Sequence, residues 1–152
     1  MTNENEPVAD ESSYRKPLPL ITPLTEPFWQ GTRERRLLVQ RCRECERRWW
    51  TPQYACPECL SESYEWTECS GRGTLYSYSV VHRPVDPSAW SESELPYVVA
   101  VVELAEGPHM LTNVVGCEPS ELRVGLPVAV SFERATDEIT LYKFAPAAAR
   151  DG

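Results

Sequence analysis

The segment CRECERRWWTPQYACPEC, residues 42–59, holds two C-x2-C pairs, Cys42/Cys45 and Cys56/Cys59, separated by ten residues. Two residues between cysteines let one tight turn aim both sulfurs and several backbone amides at a common point. Two such knuckles facing each other complete a tetrahedron of thiolates. Zinc suits this donor set, because four soft thiolates satisfy a d10 ion and leave no position open for water or substrate. One structural Zn2+ held by Cys42, Cys45, Cys56 and Cys59 is therefore the expectation. Iron in a rubredoxin-type site would use the same sulfurs and make the chain an electron carrier. Against iron, no G-x-G-x-x-G follows a strand and no other segment suggests a flavin or nicotinamide partner site. Binding energies of small zinc modules, about 10–16 kcal/mol, suffice to order a segment with little hydrophobic core of its own.

Upstream of the knuckles, Leu37, Leu38 and Val39 lead as a strand into Cys42. Before them, Thr25 is placed to cap a short helix. Glu26 and Pro27 suit its first turn, Phe28 and Trp29 supply a face to bury, and the end is expected near Glu34 or Arg35. Residues 1–24 carry Pro7, Pro17, Pro19 and Pro23 among acidic and small polar residues, and read as a mobile or extended arm. Seven arginines (33, 35, 36, 41, 43, 47, 48) face three glutamates between residues 28 and 50, a local balance of +4. Such a basic knob would attract phosphates or an acidic partner at one place only. Arg33, Arg35 and Arg36, with Trp49 and Trp50 beside the first knuckle, are thus candidate contact residues.

Downstream of Gly71 the pattern changes to period two. Five strands are expected, over 74–83, 97–104, 109–115, 128–133 and 139–144, the first with Tyr76, Tyr78 and Val80 on one face and the second apolar on both. A single helical turn at 118–122 separates the third strand from the fourth. Five strands with a short helix after the third is the layout of an OB-fold, a partly open barrel. The chain is therefore read as mainly β: arm (1–24), helix and zinc ribbon (25–69), five-stranded OB-fold barrel (70–146) and tail (147–152). Residues 84–96, between the first two barrel strands, form a long connection where OB-folds commonly place a ligand loop, and Trp90 in it is a further candidate contact.

The whole chain of 152 residues has formal net charge −8, so outside the arginine cluster the balance is −12. That excludes a protein wrapping nucleic acid over its whole surface. The N-terminal residues show no basic start or apolar stretch of a secretory signal, and no apolar run is long enough to cross a bilayer, so the cytoplasm is the expected location. Six cysteines in that reducing compartment favour metal chemistry over disulfides. Cys69 and Cys117 stand alone and read as small buried hydrophobes. His82 and His109, the only histidines, lie at strand ends. No G-x-S-x-G, H-E-x-x-H or P-loop string is present, so no independent catalytic residue is expected.

The order PFWQG, LLVQRC, the first C-x2-C, a Trp/Pro segment, CPEC, Gly71 and Gly73 opening a strand, PYVVAVVEL and VGLPVAVSFE resembles the family that joins a rubredoxin-like zinc ribbon to an acyl-CoA-associated OB-fold. The resemblance implies a small partner subunit, in a hetero-oligomer with a thiolase-like enzyme or a lipid-transfer-protein-type aldolase. Such complexes make or break carbon–carbon bonds of acyl-CoA thioesters, in some cases in steroid side-chain degradation. It assigns the metal role to the same four cysteines. The family places a glycine after each knuckle, where this chain has Glu46 and Leu60, residues less tolerant of a positive φ. A different reading, single-stranded nucleic-acid binding with Tyr76 and Tyr78 stacking bases, is disfavoured because the barrel has too few basic residues to line a groove.

Overall fold

A computed structural model describes residues 14–147; residues 1–13 and 148–152, with most of the expected arm and tail, lie outside. The chain runs α1 (Glu26–Arg33), β1 (Leu37–Cys42), β2 (Arg48–Trp49), β3 (Tyr64–Cys69), β4 (Arg72–Val81), β5 (Tyr97–Leu104), β6 (His109–Val114), β7 (Pro127–Arg134) and β8 (Thr140–Pro146). The first three strands form a sheet in the order β2-β1-β3, and the last five close a barrel in the order β4-β5-β6-β8-β7. A 3-10 turn over Pro119–Glu121 occupies the expected place between the third and fourth barrel strands. The mainly β fold with a five-stranded OB-type barrel stands as read from the periodicity; the barrel is closed, through the β6–β8 pair, where the layout predicts a partly open one.

Local chemistry sets the start and end of α1. Thr25 does not cap through its side chain. Its hydroxyl instead accepts from the Thr22 amide at 2.9 Å, and the Glu26 amide reaches back to the Thr22 carbonyl at 2.8 Å, so the turn begins three residues earlier than expected. At the other end Arg35 adopts φ 59° and the Arg36 amide donates to the Gly31 carbonyl at 2.8 Å, a left-handed stop that points the chain into β1. Gly31 makes this turn possible, since a Cβ there would lie 2.9 Å from the Leu38 side chain.

One buried cluster ties the two parts together. Phe28 and Trp29 of α1, Leu37 and Val39 of β1 and Cys69 of β3 pack with Val102, Leu104, Met110, Val128 and Phe144 of the barrel. Phe28 is wholly buried and lies against Trp29 (centroids 4.9 Å), Trp50 (4.4 Å) and Tyr142 (5.3 Å). The helix thus works as a wedge between ribbon and barrel, filling both with one aromatic set.

Two barrel expectations change. Tyr76 does not share a face with Tyr78 and Val80, because the register between β4 and β5 shifts between Leu75 and Ser77. Leu75, Tyr78 and Val80 pair with Val102, Ala100 and Val98, whose side chains are buried in the barrel, whereas Tyr76 stacks outside on His109 at 4.4 Å. An extra residue at such a bulge re-aims every side chain beyond it. In β5 the even-numbered residues Val98, Ala100, Val102 and Leu104 are buried, but Val99 and Val101 are only half covered. The second apolar face of this strand looks outward.

β3 escaped the sequence reading altogether. It pairs with β1 over six residues, from Leu37↔Cys69 to Cys42↔Tyr64. Its residues YEWTEC are mostly half-buried and carry two glutamates, which leaves little of the hydrophobic alternation that marks a strand.

Candidate metal centre

β1 delivers Cys42 at its end, and the turn that follows brings Cys45 alongside. The Glu44 and Cys45 amides point at the Cys42 sulfur at 3.4 and 3.5 Å, and the Glu46 amide closes the turn on the Cys42 carbonyl at 3.1 Å. The second knuckle repeats the device. The Glu58 amide points at the Cys56 sulfur at 3.4 Å and the Leu60 amide closes on the Cys56 carbonyl at 2.9 Å. The ten-residue spacer is held by Gln40, whose buried amide donates to the Gln53 carbonyl at 2.7 Å and accepts from the Gln53 amide at 2.8 Å. Trp49 packs on Tyr64 behind the knuckles, with ring centroids 5.9 Å apart.

All four sulfurs lie within 4.8 Å of one another, with Cys42 to Cys59 and Cys45 to Cys56 at 3.5 Å. Metal–sulfur bonds of about 2.3 Å in a tetrahedron set sulfurs about 3.8 Å apart, so the cage matches such an ion; disulfides would need about 2 Å. Protonation follows the same logic. The Cys45 and Glu44 amides hold the Cys42 thiol down to about 6, and at Cys56 the Cys59 and Glu58 amides outweigh burial and lower it. Cys45 receives the Arg47 amide, yet burial and the shared Cys56 sulfur push it up to about 12. Four thiols crowded at one point cannot all ionise alone; a cation at their centre removes that conflict.

The positions after the knuckles carry the strain expected of them. Glu46 has φ 67° and Leu60 φ 64°, the left-handed region that favours glycine. Leu60 is 76% exposed, so its side chain offers little packing in return. Leu60→Gly is expected to tighten the metal-loaded ribbon by up to about 1 kcal/mol, after the greater freedom of glycine in the unfolded chain is discounted. Competition with a chromophoric chelator measures this directly. Weaker metal retention in the variant would contradict it.

The candidate contact residues separate. Trp49 is 4% exposed and belongs to the ribbon interior, and Trp50 packs against Phe28 and Tyr142, so neither tryptophan projects as a free anchor. Trp90 is half-buried, stacked on Tyr97 at 4.2 Å and 9°, with the Lys16 ammonium 4.4 Å from its centroid. Two groups that close to one centroid occupy opposite faces, so the residues leading to α1 strap across the ring. Lys16 also pairs with Glu94 at 2.6 Å and holds that carboxyl down to about 2. The arginines are largely neutralised at home: Arg33 pairs with Glu26, Arg36 with Glu34 and Glu68, Arg41 with Glu46 and Glu65, Arg43 with Glu65, and Arg47 with Glu58. Glu58, Glu65 and Glu68 are distant in sequence from the cluster, and residues 25–69 together carry formal charge −1. Arg35 and Arg48 remain exposed without an ion pair among the described residues.

The other nucleophile and base candidates lie apart. Cys69 is buried, its thiol pushed up to about 12 by burial and by Glu106; burial also raises Cys117. His109 sits on the outer barrel face with Nε2 3.0 Å from Glu103.

Comparison with known proteins agrees with this geometry. Residues 29–65 match the family model described as the ChsH2 rubredoxin-like zinc ribbon domain, and residues 66–133 match the ChsH2 C-terminal OB-fold domain. A DUF35 domain-containing scaffold protein of Methanocaldococcus jannaschii is 35% identical over 126 residues, covering 78% of this chain and 87% of that protein. The chain belongs to the DUF35 family. Among solved structures, this DUF35 chain resembles one in the structure titled Ltp2-ChsH2(DUF35) aldolase, with 37% identity, TM-score 0.75, and coverage of 85% of this chain and 98% of that one. A probable enoyl-CoA hydratase alpha subunit of Thermomonospora curvata is 41% identical over 121 residues. Those residues cover 79% of this chain but 37% of the hydratase subunit, so the DUF35 chain spans little more than a third of that relative. No helix among the described residues is long and apolar enough to cross a membrane.

Proposed function

We propose that this chain is a non-catalytic, zinc-ordered subunit of a thiolase-fold acyl-CoA enzyme, of the lipid-transfer-protein aldolase type, acting in the cytoplasm. The observation that carries the reading is end-to-end likeness to the ChsH2-type chain of a solved aldolase, at an identity where fold and mode of assembly tend to persist. Scaffold proteins of the same family in methanogens support an assembling rather than a reacting role. The hydratase names belong to longer proteins of which this chain matches about a third, and where a thiol does meet a carboxylate, Cys69 at Glu106, the thiol is buried and held protonated, its pKa pushed up to about 12. A steroid side-chain substrate for the complex is supported by the 33% identity, over 105 residues, to the Mycobacterium tuberculosis 3-oxo-4,17-pregnadiene-20-carboxyl-CoA hydratase alpha subunit.

Nucleic-acid binding loses its main support from the bulge in β4, because Tyr76 and Tyr78 face opposite ways and cannot form one stacking platform. Co-expression with a tagged lipid-transfer-type aldolase tests the reading. Stoichiometric co-purification is expected, with aldol cleavage of an acyl-CoA by the complex and none by this chain alone. Turnover by the isolated chain, or no complex with the aldolase, would refute it.

A further inference from the structure

β6 and β8 close the barrel with a single parallel pair, Val114↔Phe144, reinforced by the Val115 amide on the Phe144 carbonyl at 2.8 Å. Below it the strands separate, bridged by the Thr112 hydroxyl donating to the Tyr142 carbonyl at 3.0 Å. The separation leaves a groove of about 390 Å³ whose apolar wall includes Trp29, Val99, Leu111 and Leu141. Leu111 is 59% exposed, and the strip continues over Val101 to Tyr76, 54% exposed. Lys143 stands at the polar end of the groove, donating to Asn113 Oδ1 at 2.9 Å.

This lysine is unlike the others. Among the described residues, the other half-buried basic residues, Lys16, Arg33 and Arg41, each have a carboxylate within 4 Å. Lys143 alone of these has no carboxylate within 4 Å, and its one hydrogen bond among the described residues goes to a neutral amide. Burial lowers its affinity for a proton, while Glu133 acts from a distance to restore it. A half-buried ammonium beside an apolar wall lacks the partner that would stabilise it, and the complement of the two is one apolar group next to one carboxylate.

We infer that the groove between β6 and β8 receives an extended segment of the thiolase-fold partner, with an apolar side chain against Leu111 and Trp29 and an acidic residue on Lys143. The inference rests on the function proposed above and names the surface through which it is exercised. A polypeptide fits better than a free lipid because the edge of β6 facing β8 has no strand partner over residues 109–113, which leaves main-chain groups beside the apolar wall for an extended chain to meet.

The test uses the full-length chain and a tagged lipid-transfer-type aldolase, with affinity read by surface plasmon resonance. Lys143→Met keeps the stem and removes the charge, and about a tenfold loss is expected. Leu111→Asp places a charge opposite the incoming apolar group, and a loss of about thirtyfold or more is expected. Val124→Asp, at an exposed apolar position outside the groove, serves as control and should change affinity less than about twofold. Unchanged melting temperature and metal content establish that the variants are folded. Folded groove variants that bind like the parent would overturn the inference while leaving the proposed function intact. A parent chain that does not bind the aldolase would overturn both. A dimer of this chain that dissociates on Leu111→Asp would assign the groove to a second copy and overturn the partner assignment.

Discussion

Cys56→Ser is expected to release the metal and unfold the chain from residue 43 to residue 63, while the barrel and the base of the ribbon stay folded. The reason is the unequal distribution of apolar contacts. The knuckle region has its own cluster of only Cys42, Trp49 and Cys56, with Tyr64 against it, so two of its three buried members are metal ligands. Leu37, Val39 and Cys69, at the far end of the same sheet, belong to the core shared with the barrel. Losing one thiolate forfeits most of a binding free energy of about 10–16 kcal/mol, far more than one small aromatic pair returns. Elemental analysis should find stoichiometric zinc in the parent and almost none in the variant. Limited proteolysis should then cut between the knuckles and leave a resistant fragment beginning near β3. A metal-free variant that resists protease in this segment would show that packing, not coordination, orders the ribbon.

Phe28→Ala is expected to cost about 3–5 kcal/mol, the range for removing a large aromatic from a packed interior. Phe28 touches Trp29 on its own helix, Trp50 of the ribbon and Tyr142 of the barrel, so the cavity would open at the joint between the two parts. The effect should reach beyond stability. With the wedge gone the ribbon loses its fixed angle to the barrel, and affinity for the aldolase should fall even where the variant is still folded and metal-loaded. Denaturant unfolding followed at the tryptophans gives the first quantity and plasmon resonance the second. A loss below about 1 kcal/mol would mean that the helix is an appendage and that the two parts are joined elsewhere.

What could be read in the sequence was chemistry with fixed spacing. Two C-x2-C pairs define their own geometry whatever surrounds them, and alternation over five segments separated by turn residues specifies a small barrel. What could not be read depended on residues that meet only after folding. β3 exists because β1 offers it a six-residue edge, not because YEWTEC reads as a strand. The one-residue shift after Leu75 leaves no mark in the letters, yet it sends Tyr76 to His109 on the outer face and Tyr78 to the Leu122 carbonyl on the other. Trp90 reads as a free anchor until Tyr97 and Lys16 are found on its two faces. The arginines look like a basic knob until Glu58, Glu65 and Glu68 fold against them. The positive φ at Glu46 and Leu60 was legible in advance, since knuckle turns require it whichever residue is present.

The ion pairs across the ribbon have an effect at long range. Residues 25–69 carry formal charge −1, to which a Zn2+ held by four thiolates would add −2, so this part and residues 70–146, at −5, are both negative and the arginines leave no basic pole. A partner with a cationic rim would be drawn by that field to both parts alike, the zinc-bearing end as well as the barrel, before the surfaces touch. Because Debye screening is about 8 Å at physiological ionic strength, this steering acts over the final few water layers and governs the rate of encounter, while the lifetime of the complex is set by the apolar contacts made afterwards.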